Sequence, residues 1–257
     1  MPKLPDDGAA WPYGDAVAEQ AGRADYGVDA PMVPIWLGLA SVAFAVWTVL
    51  SVVFGSGAWW LLPFAYAVFF ALNTASFLYT TRRGKLQVWR ELLGAAGLTG
   101  QGRLVDLGCG RGAVLVTAAQ VLPEGRPLGV DLWRSVDQSG NDPARTLANA
   151  AAEGVDVDLI TGDLRALPVR AASADLVVSS LAIHNIPDAD DRLAALREAT
   201  RILRPGGRLI IVDFRHTKRY AEALTELGLN DVTVRGLGWR FWYGGPWAGS
   251  SVVTATR

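Results

Sequence analysis

Asp106 stands two residues ahead of Gly108, and Gly110 and Gly112 follow at alternate positions. Leu104 to Leu107 reads as a short apolar strand, and an alanine- and valine-rich helix follows the glycines. A strand that breaks into a helix over such a turn leaves free backbone N–H groups and a helix N-terminus facing a crevice. Glycine permits positive φ and lets a ligand approach the backbone closely. The turn is therefore suited to a nucleotide. Glycine spacing alone does not say which one, because Gly108-x-Gly110-x-x-Ala113 also meets the looser dinucleotide pattern. Asp106 discriminates. A carboxylate aimed at the turn repels a pyrophosphate and favours a ligand that carries an ammonium group.

Two more carboxylates fall at strand ends. The second strand, 126–131, ends in Gly129-Val-Asp-Leu-Trp133. Asp131 lies about twenty residues beyond the glycine turn, a helix and a strand away, where a carboxylate can accept both hydroxyls of a ribose. Leu132 and Trp133 are placed to pack on a base. The third strand, 155–160, runs into Thr161-Gly162-Asp163-Leu164 and on to Pro168. The fourth, 174–180, is apolar throughout, as a central parallel strand should be. It ends in Ser179-Ser180-Leu-Ala-Ile-His184-Asn-Ile-Pro187, on what would be the catalytic rim of an open α/β sheet.

With these residues in place the chain resembles the class I S-adenosylmethionine (SAM)-dependent methyltransferases, whose first motif reads D-x-G-x-G-x-G and is met by Asp106, Gly108, Gly110 and Gly112. The resemblance covers 85–257. It implies an α/β fold: a doubly wound, seven-stranded, mostly parallel, Rossmann-like sheet with its last strand antiparallel. It also implies S-adenosyl-L-methionine as cofactor, with its amino-acid, sugar and base ends at Asp106, Asp131 and Asp163. In that family a G-D-x…L-P segment sets an Asp against the adenine amino group and a backbone N–H against the ring, and Gly162, Asp163 and Leu164 fit it. Cys109 inside the turn and Ser180 at the fourth strand end complete the expected cofactor contacts. Arg204-Pro-Gly-Gly-Arg-Leu is a further family signature, with the structural role of a helix-to-strand turn. In the small-molecule and quinone methyltransferases, a stretch like that around His184 carries one or two histidines. His184 can be a general base, a pocket residue or a structural residue, and the sequence leaves all three open.

Cys109 is the one cysteine, so no disulfide forms within the chain. It reads as a small residue at a tight turn. With only His184 and His216 beside it, no metal site is expected. His216, with Arg215, Lys218 and Arg219, reads as a solvated or membrane-facing basic patch. A net charge of −1 supplies no basic field, so nucleic acid is not an expected partner.

These groups are preceded by a block of different character. No charged residue occurs from Ala30 to Thr81. Two apolar runs, 33–54 and 58–79, flank Gly55-Ser-Gly57, and each is long enough to cross about 30 Å of hydrocarbon as a helix. A chain of this size cannot bury two helices that are apolar on every face. Trp36, Trp59, Trp60, Tyr66 and Tyr79 include several interfacial aromatics, and Pro34 and Pro63 sit in first turns, where proline is tolerated. Ser41, Ser51, Asn73, Thr74 and Ser76 can serve helix–helix packing. Arg82, Arg83 and Lys85 then place the following domain on the cytoplasmic side of a cell membrane. That is where SAM occurs, so chemistry and charge agree.

The expected organisation is an N-terminal arm (1–30) that is largely flexible apart from a short helix at 15–24, a transmembrane hairpin (31–81) and a methyltransferase domain (82–257). The arm is too acidic and too long for a secretory signal. An amphipathic helix (85–98) carries Leu86, Val88, Trp89, Leu92 and Leu93 on one face and reads chiefly as a linker, although Tyr79, Gly84 and Lys85 can reach a cofactor. A polar segment, 135–141, reads as a surface loop or a border of the substrate cavity. It precedes a helix (143–153) capped by Asp142, with Pro143 at its first position. Helices follow at 188–203 and 216–227, with strands at 232–235 and 251–256. Between those strands, residues 237–247 hold five aromatics, expected to wall an acceptor pocket and dip into the membrane surface rather than pack on the sheet edge. The expected function is membrane-anchored methyl transfer to a small lipophilic acceptor: a quinone, phenol, thiol or lipid. An inactive scaffold of the same fold and an NAD-dependent oxidoreductase are the alternatives. Oligomeric state is not legible.

Overall fold

The computed structural model describes residues 24–55, 57–98, 101–122, 124–134 and 140–257. The expected helix at 15–24 lies outside them except for its last residue, as does most of the polar segment 135–141.

The sheet has seven strands: β1 (Leu104–Leu107), β2 (Leu128–Asp131), β3 (Asp158–Thr161), β4 (Ala174–Ser180), β5 (Leu203–Asp213), β6 (Asn230–Gly236) and β7 (Ser251–Thr256). Their order is β3-β2-β1-β4-β5-β7-β6. β1 to β5 pair in parallel, and β7 runs antiparallel to both β5 and β6. The winding reverses between β1 and β4, which leaves a crevice at their C-terminal ends. Both strands are buried along nearly all their length, which is why they read as continuous apolar runs.

Among the described residues there are seven α-helices: α1 (Met32–Val53), α2 (Leu61–Tyr79), α3 (Lys85–Ala95), α4 (Ala113–Val121), α5 (Pro143–Ala152), α6 (Ala189–Ile202) and α7 (Thr217–Glu226). Helices α5 and α6 open on aspartates whose side chains accept first-turn N–H groups: Asp142 from Ala144, and Asp188 from Asp190 and Asp191.

Helices α1 and α2 are long and apolar enough to cross a membrane. They pack on each other through small and aromatic groups. Ser41 Oγ donates to the Ala67 carbonyl at 2.9 Å, and Phe44 stacks on Tyr66 and Phe70. Their outer faces stay open, with Trp36 and Val42 of α1 and Leu62 and Leu72 of α2 all exposed. Helix α2 does not stop before the domain. A π turn at Thr80–Gly84 carries it into α3 without a break.

The segment between β6 and β7 packs along this continuous helix. Trp247 stacks on Phe69, Trp239 on Tyr79, and Tyr243 meets Phe77 edge-on. Gly84 lies against the Arg240 carbonyl with no space for a Cβ, so a side chain there would push the two apart. On the other side, the fully buried Trp89 of α3 donates its indole N–H to Ser180 Oγ at 3.0 Å. The helix leaving the hairpin is thereby fixed to the end of β4.

Candidate active site

One cavity occupies the crevice. It is lined by Asp106, Gly108, Cys109, Gly110, Asp131, Leu132, Asp163, Leu164 and Ser180, nine of the thirteen residues expected from the sequence. Gly112, Trp133, Gly162 and His184 do not line it. Gly112 is the N-cap of α4, its φ of +83° fitting glycine, with Thr146 packed where a Cβ would point. Trp133 donates its indole N–H to Thr161 Oγ1 at 2.9 Å across the β2 and β3 ends. Gly162 packs against Pro168 and Val130.

The glycine turn has the conformation its sequence demands. Gly108, Gly110 and Gly112 all have positive φ. At Gly108 a Cβ would also collide with the Ala182 side chain, so the turn closes against the β4 end. Cys109 is buried, and its sulfur fills the space under Gly129. Burial, reinforced by Asp106 and Asp131, pushes its thiol well above the usual range, so it is a packing group and not a nucleophile.

Asp106 is 1% exposed, and neither of its carboxylate oxygens makes a hydrogen bond of good geometry, although the Leu115 backbone N–H in the first turn of α4 lies near enough to oppose the effect of burial. Burial, then the charge of Asp131, pushes its pKa up to about 8. A buried carboxyl without such a bond is costly, and a cation placed against it removes that cost. Asp131 is treated differently by its surroundings. Its Oδ2 accepts from Gly110 N at 2.8 Å, and its Oδ1 accepts from Trp133 N at 2.7 Å and Asn141 Nδ2 at 3.1 Å. These bonds lock it in place and leave acceptor capacity for a sugar.

Asp163 is ion-paired. Arg165 holds it at 2.6 Å and also reaches Asp191 at 2.6 Å. The Arg165 guanidinium keeps the Asp163 carboxyl below the usual carboxylate range. Asp191 and Arg165 join the cavity wall beside Asp163 and Leu164. Sequence reasoning named neither as a site residue, whereas Asn141, also in the wall, ends the polar segment that it offered as a border of the cavity. An exposed Arg two residues after an Asp carries no special signal.

His184 follows β4 in a short turn. Its Nδ1 stands 2.9 Å from Oδ1 of the fully buried Asp213, close enough for an ion pair but off the line of a good hydrogen bond. Phe214 meets its ring edge-on. The neighbours Asn185, Ile186 and Pro187 line the cavity where His184 itself does not. His216 lies apart, at the start of α7.

Two elements outside the sheet also reach the cavity: Asp29, just before α1, and Lys85, the first residue of α3. Lys85 Nζ holds both Asp29 oxygens, at 2.9 and 2.8 Å. Residues ahead of α1 lie on the domain as well. Asp25 pairs with Arg111 of the glycine turn at 2.7 Å and exchanges hydrogen bonds with Asn149.

The buried Asp106 fits the ammonium of a SAM molecule, the locked Asp131 fits its ribose, and the glycines allow the nucleoside to lie against bare backbone. Sheet order and site together define a class I SAM-dependent methyltransferase domain. Residues 105–211 match the family described as "Methyltransferase domain". The chain is 32% identical over 133 residues to the ubiquinone/menaquinone biosynthesis C-methyltransferase UbiE of Syntrophotalea carbinolica, covering 52% of this chain and 51% of that protein. It is 27% identical over 129 residues to the demethylmenaquinone methyltransferase of Staphylococcus aureus strain Newman, covering 49% of each. The chain thus spans about half the length of the curated relatives it matches. Among solved structures, a TehB-like SAM-dependent methyltransferase from Corynebacterium glutamicum superposes with a TM-score of 0.50 at 21% identity, covering 66% of this chain and 87% of that one, a likeness of fold.

Proposed function

We propose that this protein is a membrane-anchored enzyme that moves the methyl group of SAM onto a small lipophilic acceptor of the quinone or phenol type. The observation that carries the reading is Asp106: a fully buried carboxylate with neither oxygen in a hydrogen bond of good geometry, at the foot of a positive-φ glycine turn. It calls for an ammonium-bearing nucleoside and disfavours a dinucleotide.

Bound in this crevice, SAM supplies a methyl group on a sulfonium, already activated for in-line displacement. The protein's work is to orient and to exclude water. Asp106 takes the amino group, Asp131 the ribose hydroxyls, and Asp163 with Leu164 the base. His184 is our candidate for receiving the proton that the acceptor's hydroxyl gives up as it attacks, and Asp213, which accepts from the His184 backbone N–H, stands beside Nδ1.

Two observations support a lipophilic acceptor. The curated relatives are named for quinone methylation. Helices α1 and α2 have apolar outer faces and lead straight into the site, so an anchor raises the local concentration of bilayer-dissolved molecules. Arg82 and Arg83, exposed in the π turn that follows α2, support a cytoplasmic position for the domain.

Membranes carrying the protein, incubated with methyl-labelled SAM and supplied with extracted quinones, phenols, thiols, lipids and peptides, test the reading. Label in the organic-soluble acceptors supports it. Label confined to peptides or nucleic acid contradicts it.

A further inference from the structure

The inner ends of the hairpin meet at the cofactor cavity. Asp29 lies three residues before Met32, where α1 begins, and Lys85 opens α3 where the α2 helix leaves its π turn. The Lys85–Asp29 ion pair therefore clasps the two ends together. Tyr243, from the segment docked along α2, adds a third member by donating its hydroxyl to Asp29 Oδ2 at 2.8 Å. The Lys85 side chain is 8% exposed, so its ammonium depends on anions for stability.

The cavity is strongly acidic, with Asp29, Asp106, Asp131, Asp163 and Asp191 in its wall. A cofactor with a free carboxylate needs a cation there. Arg165 is bracketed by Asp163 and Asp191 at the base end. Arg111 is engaged with Asp25, and Arg134 follows the ribose carboxylate. Lys85 stands at the other end, and its charge is felt at Asp106, opposing the effect of burial there. A lysine ammonium has three N–H donors, and Asp29 takes two.

We propose that Lys85, steadied by Asp29, binds the carboxylate of the cofactor's amino-acid moiety while Asp106 binds its ammonium, so that the hairpin's inner ends form one wall of the cofactor site. The assignment rests on the methyltransferase reading. It makes the helix that leaves the hairpin a structural part of cofactor recognition and not only a tether.

The test uses the full chain in lipid nanodiscs and three nucleosides: S-adenosylhomocysteine, its decarboxylated analogue, and 5′-methylthioadenosine, which lacks the amino-acid moiety. Because Lys85→Met alone strands the Asp29 carboxylate, the working variant is Asp29→Asn with Lys85→Met, and Lys85→Arg is the charge-keeping control. Wild type is expected to prefer S-adenosylhomocysteine over the decarboxylated analogue by about tenfold or more, the scale of one charge-assisted hydrogen bond. The double variant should lose that preference and keep its affinity for 5′-methylthioadenosine, and Lys85→Arg should retain part of the preference. A preference undiminished in the double variant, or an equal loss for all three nucleosides, overturns the assignment. If wild type binds none of them, the methyltransferase reading itself fails, a pattern distinct from either.

Discussion

Thr80 Oγ1 donates to the Trp242 carbonyl at 2.7 Å, and Ser76 Oγ reaches the same oxygen at 3.1 Å. Two hydroxyls on the inner end of the hairpin helix thus hold the aromatic segment between β6 and β7. Removing both, in a Ser76→Ala, Thr80→Val variant, leaves that carbonyl unsatisfied in a buried contact. We expect a loss of about 1–3 kcal/mol, read by thermal unfolding in nanodiscs, and faster tryptic cleavage at Arg240. Either single variant should cost much less than the pair, because the other hydroxyl still serves the acceptor.

The buried carboxyl of Asp106 makes the ligand-free protein pH-sensitive. Its folded pKa, about 8, lies above the ordinary 3.8. The folded state therefore holds a proton the unfolded state has released. This contribution to stability is full below about pH 4 and is lost as pH rises through 8. Asp106→Asn should flatten that slope and raise the melting temperature of the ligand-free protein at pH 8 by a few degrees. An unchanged slope would mean that Asp106 is already ionised and partnered.

The same group sets a pH dependence on binding. An ammonium ligand selects the ionised carboxylate, so affinity for S-adenosylhomocysteine should climb as pH rises from 6 toward 8, by up to about tenfold per unit. 5′-Methylthioadenosine has no amine and should show no such climb. Parallel titrations of the two nucleosides check this.

Gly108→Ala places a Cβ against Ala182 on a backbone with φ of +74°. The left-handed conformation alone costs about 1–2 kcal/mol, and relieving the collision moves the turn away from the β4 end. Cofactor affinity should fall steeply. Gly97→Ala, at φ +65° with open space around it, is the control: it carries the conformational cost and spares binding.

If His184 takes the acceptor's proton, His184→Gln should slow turnover on a hydroxyl acceptor by about 10²-fold or more, while S-adenosylhomocysteine binding stays unchanged because His184 lies outside the cofactor cavity wall. Asp213→Asn should move the pH–rate profile. Loss of binding in both variants would instead assign the pair to holding the rim.

Legibility followed sequence distance. Asp106 and the glycines form one local motif, and Asp131 and Asp163 sit at strand ends set by regular helix and strand lengths, so sequence alone pointed to these three of the five carboxylates that line the cavity, and not to Asp29 or Asp191. Strands β4 and β7 have the bounds their apolar runs announced. β3 begins at Asp158 and not at 155, because Val155 and Val157 pack with Leu115, Val116 and Ala150 outside the sheet. β6 runs longer than expected because the polar, exposed Asn230 pairs with Thr256 of β7 across an irregularity in the ladder, and Gly236 pairs with Ser251 at the other end. The contacts that join hairpin, aromatic segment and site had no local signal at all: Lys85 and Asp29 are 56 residues apart, and Thr80 and Trp242 are 162 apart.

Calorimetric titration of the full chain with S-adenosylhomocysteine, beside the Asp106→Asn variant, bears most directly on the central claim. The account predicts saturable one-site binding in the wild type and its loss in the variant, with both proteins folded. No binding by the wild type, or equal binding by the two, would contradict it.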